Sequence, residues 1–409
     1  MAKHYLIIAD DFTGANDTGV QMCRRGLLTS VIFAGKAIPE ESGSVVIDTE
    51  SRGMTPGEAA KVTAGAAKSV DFASYDYVIK KVDSTLRGNV AEESKAVDDA
   101  YGSELVIFAP ALPALGRTTE GGIHKLNGVR LTETEIAKDP RKPVREDNLQ
   151  KILQKVYQEA VTYVSLDQVR KKEFPFDAGR VFVFDAKTDV DLRTIISAAK
   201  KTGKKVLWIG TAAIADNIME LENPTLPALG IVASVSAVTN RQLHMAEENA
   251  TLVQIPVHHI LDGSVTLKPY VDQVVEALGR GEDTILLSSS SYDRAEMDKS
   301  AEAGKKLGME IWEVSAFVQK MMGQAALEIL SRADVSGVFA TGGDTAMGLM
   351  SYLESDGSTI LSEITVGLPM MKLVGGKKDG LKVVTKAGAF GEEDAILFAF
   401  RKLKEKNFG

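Results

Sequence analysis

The stretch that most constrains the fold is MAKHYLIIADDFTGANDTGVQMCRRG, residues 1–26. Tyr5-Leu6-Ile7-Ile8-Ala9 is a continuous apolar run of strand length, and it stops at two adjacent carboxylates, Asp10 and Asp11. Thr13, Gly14 and Asn16 make a turn, and a helix through Val20 to Arg25 follows. Strand, acidic loop and helix form the opening unit of a doubly wound sheet, whose carboxyl edge is where open α/β folds bind ligands. Asp and Asn also cap helices. Two carboxylates with Thr13, Asn16 and Asp17 nevertheless exceed what one cap needs.

The same rhythm continues to residue 110. Strands are expected at 29–34, 44–47, 75–81 and 105–109, with a helix over 57–69. Asn89 with Glu92 three residues on fits a capping box at the start of the next helix. Residues 110–145 break the pattern with Pro110, Pro113, Pro140 and Pro143. Asn127-Gly128 between two short apolar runs signals a hairpin. This stretch reads as an inserted flap carrying Arg117, His124 and Lys125, after which strands resume near 161–165, 181–184 and 205–209. Asn223–Gly230, with two prolines, is the linker candidate. Beyond it a second alternating run has strands near 230–234, 251–256, 284–288, 336–340 and 381–385 and helices near 268–279, 293–306 and 315–330. The expected fold class is therefore α/β, with two domains of mainly parallel sheet at 1–226 and 230–409.

Bulk properties set limits. A chain of 409 residues is too long for one ordinary core. A net charge of −8 offers no global attraction to nucleic acid or to an anionic membrane, so an anionic ligand must be held by local groups. The single cysteine, Cys23, excludes an intrachain disulfide and reads as a small packing residue. Five histidines without an HExxH pattern argue against a zinc site. No apolar stretch reaches the roughly 18 residues of a membrane span, so the expected location is the cytoplasm.

Three polar loops end three strands of the first half: Asp10-Asp11, Glu50-Ser51-Arg52 and Lys81 through Ser84. Parallel strand ends converge on one edge. Arg52 and Lys81 suit a carboxylate, as a planar fork and a point charge, while Asp and Ser groups suit vicinal hydroxyls. The set describes a pocket for a small polyhydroxylated acid.

In the second half, Gly337–Ala340 leads into Thr341-Gly342-Gly343-Asp344-Thr345 and a helix from Ala346. Adjacent glycines at a helix start let backbone N–H groups approach a phosphate, and the helix dipole favours the anion. Asp344 either orients Mg²⁺ or caps the helix. Lys386-Ala387-Gly388 and Ala233-Ser234-Val235-Ser236 are two further strand ends of this kind. GxxxxGK[ST] and GxGxxG are both missing, which removes support for the usual nucleotide loops. The adjacent acids also differ from the Asp-x-Asp of a haloacid-dehalogenase-like phosphatase.

Taken together, IADDFTGANDTG (8–19), DTESR (48–52), KKVDSTLRGN (80–89), ATGGDTA (340–346) and TKAGAFG (385–391) resemble the four-carbon acid sugar kinase family, its D-threonate-phosphorylating branch above all. The blocks span nearly the whole chain in order and are jointly specific. The resemblance implies an N-terminal sugar-acid-binding domain, a C-terminal nucleotide-binding domain and a ligand cleft between them. By motif, Asp11, Arg52, Lys81, Val82, Asp83 and Ser84 would bind substrate. Ser234, Gly342, Gly343, Asp344, Thr345 and Gly388 would bind ATP, although Ala233 stands where family members carry glycine. The expected reaction is ATP- and Mg²⁺-dependent phosphorylation of the 4-hydroxyl of a four-carbon acid sugar, D-threonate first and D-erythronate as the alternative. Asp11 or Asp83 would serve the nucleophilic hydroxyl. A non-catalytic sensor of sugar acid and nucleotide is the reading from another class, disfavoured by the lack of any basic patch to give it an output. The partners expected are the sugar acid and ATP, with no nucleic acid and no membrane. Amphipathic helices leave room for a homodimer, and the residues of a metal site are not fixed by the sequence.

Overall fold

The computed structural model describes residues 3–39, 43–140, 142–247 and 249–406. The chain divides into two compact units, Met1–Pro224 and Thr225–Gly409.

The strands of the first unit are β1 (Tyr5–Ala9), β2 (Thr29–Phe33), β3 (Ser44–Asp48), β4 (Tyr77–Lys81), β5 (Leu105–Phe108), β6 (Arg117–Glu120), β7 (Ile123–Leu126), β8 (Val129–Arg130), β9 (Val161–Val164), β10 (Val181–Phe184) and β11 (Val206–Gly210). Eight of them form one sheet in the order β2-β3-β1-β4-β11-β5-β10-β9, with every neighbouring pair parallel. β1, β3, β4 and β11 are buried at all five positions. Such burial requires helices on both faces and accounts for unbroken apolar runs in place of alternation. Successive side chains feed opposite cores. Tyr5, Ile7 and Ala9 pack on one side of the sheet, and Leu6 and Ile8 on the other.

The insertion at 110–145 holds the antiparallel trio β6-β7-β8. Asn127 and Gly128 turn β7 into β8 with φ of 50° and 82°, the doubly positive pair that a tight hairpin demands. β6 was not expected, because Arg-Thr-Thr-Glu carries no apolar signal. It is fixed by tertiary contact: the buried Asp185 carboxylate accepts from the Gly121 and Gly122 N–H groups, both at 2.9 Å.

Three local expectations need correction. Thr13, Gly14 and Asn16 form no turn but lie in helix Phe12–Arg24, which starts directly after Asp11 because that side chain caps it. Asn89 sits at the N-cap of helix Val90–Tyr101, but its side chain makes no capping bond. Its amide donates instead to the carbonyls of Ser51 and Met54, each at 3.1 Å, which ties the β3 loop to this helix. The 223–230 linker is also shorter than expected, since Ala228-Leu229-Gly230 belongs to a fully buried strand.

That strand is β12 (Ala228–Val232). The second unit continues with β13 (Thr251–Ile255), β14 (Thr284–Ser288), β15 (Gly337–Thr341), β16 (Gly357–Thr365), β17 (Leu368–Val374) and β18 (Lys382–Lys386). Its sheet runs β13-β14-β12-β15-β18-β17-β16, parallel through β18 and antiparallel across the last two pairs. The β16–β17 hairpin escaped the sequence reading because β16 is an edge strand whose residues are exposed or half-buried. Both sheets share one local order: the first strand lies inside, the second two places away, the third between them and the fourth on the opposite side.

Helices Ile311–Arg332 and Gly343–Tyr352 cross through glycines. A Cβ on Gly348 would lie 2.8 Å from the Gln319 carbonyl oxygen, and one on Gly323 would lie 2.7 Å from the Gly348 carbonyl oxygen. Gly348→Ala should cost about 1–3 kcal/mol by overpacking. Thermal unfolding should show a midpoint lowered by several degrees. Gly279→Ala, where an added Cβ meets nothing within 4 Å, should leave the midpoint unchanged or raise it.

Candidate functional site

In the first unit the strand order reverses at β1 and β4, which opens a crevice at their carboxyl ends. Register aligns what stands there, for Ala9 pairs with Asp48 of β3 and with Lys81 of β4. Arg52 is the hub. Its Nε and Nη2 donate to the two oxygens of Asp10 at 2.6 and 3.1 Å. Its Nη1 and Nη2 donate to the two oxygens of Asp11 at 2.8 and 2.6 Å. Asp11 also caps helix Phe12–Arg24, accepting from the Gly14 N–H at 3.1 Å. Glu50, held at a left-handed φ of 47°, accepts from the Phe12 N–H at 2.9 Å. Beside it, burial pushes the Asp48 carboxyl up to about 6.

Asp83 has its own ion pair, with Arg87 Nε and Nη2 at 2.9 and 3.1 Å, and it also takes the Thr85 hydroxyl. Burial opposes its ionisation, but Arg87, Arg52 and Thr85 outweigh that and hold the carboxyl well below the usual range. Such a group is a poor proton acceptor near neutrality. Lys81 is different. It is 6% exposed, and among the described residues no carboxylate lies within 4.0 Å of its ammonium. Burial draws its pKa below the usual lysine range against the pull of Asp10 and Asp11. The ammonium rests against Gly14, where any Cβ would collide with it. Of the two cations expected to hold a carboxylate, Arg52 is thus engaged by Asp10 and Asp11, and Lys81 has no acidic partner within salt-bridge distance. Val82 is a core side chain whose N–H bonds the Gly210 carbonyl at 2.8 Å, so only its backbone borders the crevice.

Of the flap residues, His124 reaches this loop. It is fully buried, with Nε2 3.1 Å from the Ser84 carbonyl oxygen and Nδ1 2.9 Å from the Thr119 hydroxyl. A carbonyl can only accept, so the proton sits on Nε2 and Nδ1 accepts from Thr119. Lys125 pairs with Glu120 at 2.8 Å, and Arg117 Nη1 donates to the Leu115 carbonyl.

In the second unit the reversal falls at β12 and β15, and β18 lies beside β15. Gly342 follows β15 with φ of 89° and opens helix Gly343–Tyr352 without any side-chain cap. Five other long helices do have one, from Asp11, Thr55, Thr188, Thr211 and Ser236. Among the described residues the fully buried Thr341 hydroxyl finds no hydrogen-bond partner. Gly342 N–H bonds the Lys386 carbonyl at 2.9 Å, which joins the β15 and β18 ends. Beside them, Ser234, Ser236, Thr239, Lys386 and Gly388 form a knot. Ser236 and Thr239 hydroxyls and the Lys386 ammonium all approach the Gly388 carbonyl, the latter two at 3.2 and 3.0 Å. A Cβ on Gly388 would lie 2.6 Å from Ser234 Oγ, so this close approach requires glycine. Ser234, Gly342, Asp344 and Thr345 line a cavity of about 580 Å³, whose far wall is apolar through Val257, Val314 and Val318. The sequence places Lys386 in the TKAGAFG motif without giving its side chain a role, and Thr239 stands in no recognisable pattern apart from the fold. Among the described residues no cluster of three His, Cys, Asp or Glu side chains is arranged to hold a metal, and no helix is long and apolar enough to cross a membrane.

The sequence matches the model of a sugar-binding N-terminal domain over residues 5–218 and that of a nucleotide-binding C-terminal domain over residues 229–396. The D-threonate kinase of Salmonella typhimurium is 33% identical, over 99% of this chain and 99% of its own length. The chain belongs to the four-carbon acid sugar kinases. Within that family, the D-erythronate kinase of Heliobacterium modesticaldum is 28% identical to this kinase, over 96% of this chain and 95% of its own. A crystal structure from Bordetella bronchiseptica, a domain of unknown function with bound citrate and a domain-swapped dimer, matches with a TM-score of 0.61 and 26% identity, covering 99% of this chain and all of that one.

The His124 imidazole has a consequence for stability. Burial pushes its pKa down to about 4. Above pH 6.5 it is neutral folded or unfolded, and its contribution is fully present. As pH falls from 6.5 towards 4, the unfolded chain takes a proton that the folded one refuses, so stability falls by roughly 3 kcal/mol and then levels off. Chemical unfolding across this window should show the decline, and His124→Gln should flatten it relative to the native chain.

Proposed function

We propose that this kinase transfers the γ-phosphoryl group of ATP to the 4-hydroxyl of D-threonate. The observation that carries the reading is Lys81: a buried ammonium with no carboxylate in salt-bridge distance, set beside hydroxyl-reading acids at a sheet's switch point. That arrangement suits a small acid bearing a carboxylate at one end and hydroxyls along its length. The full-length similarity to a D-threonate kinase supports the choice of acid, and the citrate bound by the Bordetella relative supports a carboxylate ligand.

Phosphoryl transfer depends on positioning and charge neutralisation more than on covalent chemistry. Lys81 receives the substrate carboxylate. Asp11, partly exposed and clamped by Arg52, orients the hydroxyls, with Ser84 and the backbone of Val82 completing the wall. Asp83 serves by geometry, shaping the loop through Arg87 and Thr85, and Asp11 faces the 4-hydroxyl. In the second unit, Ser234 and Gly388 border the nucleotide, and the uncapped N–H groups of Gly343, Asp344 and Thr345 face its phosphates. Mg²⁺ binds proteins through one or two carboxylates and the substrate phosphates, a demand that the exposed Asp344 in the first helical turn fits. When bound, Mg²⁺ neutralises charge on the transferring phosphoryl. The domain-swapped relative supports a homodimer, and a metabolic kinase of this kind belongs in the cytoplasm.

An ADP-release assay with Mg-ATP against D- and L-threonate and D- and L-erythronate tests the reading. Turnover should be confined to D-threonate. Preference for D-erythronate would reassign the substrate, and silence across the panel with ATP still bound would overturn the kinase activity. Lys81→Met should raise the KM for the acid more than tenfold, in line with loss of about 1.5–3 kcal/mol from a charged hydrogen bond, while the KM for ATP stays within twofold. Asp83→Asn should lower turnover more than tenfold by releasing Arg87.

A further inference from the structure

Lys386 ends β18 almost fully enclosed, at 2% exposure. Among the described residues no carboxylate lies within 4.0 Å of its ammonium. Its partners are the Gly388 carbonyl at 3.0 Å, the Ala387 carbonyl at 3.2 Å and the Thr239 hydroxyl at 3.3 Å. The first of these acceptors is shared. The Gly388 carbonyl has two lone pairs but is approached by Ser236, Thr239 and Lys386 together. The Thr239 hydroxyl can donate to Ser234 Oγ or to this carbonyl, each at 3.2 Å, so the carbonyl stays satisfied by the two hydroxyls if the ammonium turns away. A buried cation without a counter-charge is costly to keep, and such groups gather at functional sites.

The surroundings say what would repay that cost. The groups assigned to the nucleotide are neutral, apart from the acidic Asp344. Two cavities share Gly342, one of about 580 Å³ and one of about 550 Å³; Lys386 lines the second, and among the described residues it is the one cation lining either. We propose that Lys386 is the cation of the nucleotide site, swinging from the Gly388 carbonyl to a phosphate oxygen when the polyphosphate enters between the Ser234 and Gly342 loops. This rests on the kinase reading for the identity of the ligand, though not for its charge. Burial pushes the ammonium down to about 8, which leaves it protonated at neutral pH and ready to gain from an anion. A lysine suits the task as a compact point charge with rotatable donors.

Calorimetric titration of the full chain with adenosine, ADP and tripolyphosphate separates the possibilities, using the native chain, Lys386→Met and Lys386→Arg. Lys386→Met should weaken ADP and tripolyphosphate at least tenfold and leave adenosine within twofold, and Lys386→Arg should recover most of the lost affinity. Adenosine weakened as much as ADP would mean that Lys386 only props the Gly388 loop, and unchanged ADP affinity would mean that the ammonium never meets a phosphate. Either result overturns the proposal. Should the native chain bind tripolyphosphate through Lys386 but no adenine nucleotide, the ATP-dependent reading fails while this assignment stands.

Discussion

Everything in the first unit depends on parallel register at three neighbouring strands. β1 pairs with β3 and β4 so that Ala9 stands level with Asp48 and Lys81. A slip of one residue would turn every side chain of a strand to the opposite face, separating Asp10 and Asp11 from the guanidinium that neutralises them. Two adjacent buried or half-buried carboxylates repel each other, and Arg52 resolves this by giving each a pair of donors. The capping bond from Asp11 to Gly14 and the Asn89 bonds to the β3 loop then fix the helices around the cluster.

The two units use charge in contrasting ways. The first gathers acids and bases into a nearly balanced network, in which Lys81 is the group lacking a carboxylate neighbour. The second builds its strand ends from serines, threonines and glycines, with a helix N-terminus left open and Lys386 buried beside them with no carboxylate among the described residues in salt-bridge distance. Each design leaves positive potential unspent at the carboxyl edge of a sheet, where the partial charges of the helix ends add to it. Both ligands of a sugar-acid kinase are anions, while the chain as a whole is acidic. Local placement of a few cations therefore has to do what net charge does not.

The flap shows how a remote segment joins a site. Its hairpin turn was readable from Asn127-Gly128, but the use of His124 was not. Its ring reaches the Ser84 carbonyl from a hairpin whose Gly121-Gly122 turn is held by Asp185, more than sixty residues away in sequence, and whose His124 N–H is held by the Asp147 carbonyl. Asn89 teaches the reverse lesson. The local pattern of a capping box was present, and a more distant pair of carbonyls took its side chain.

The sequence by itself determined the alternation of buried strands and helices and the polar strand ends, because unbroken apolar runs and glycine turns are local signals. It also carried the family motifs, which are contiguous. Only the tertiary structure decided which charges neutralise one another: Arg52 with Asp10 and Asp11, Asp83 with Arg87, and Lys81 and Lys386 without a carboxylate neighbour. The physical reason is that an ion pair depends on distance: sheet order and register bring Arg52 to acids some forty positions away, and the fold of the loop after β4 decides that Arg87 turns back onto Asp83.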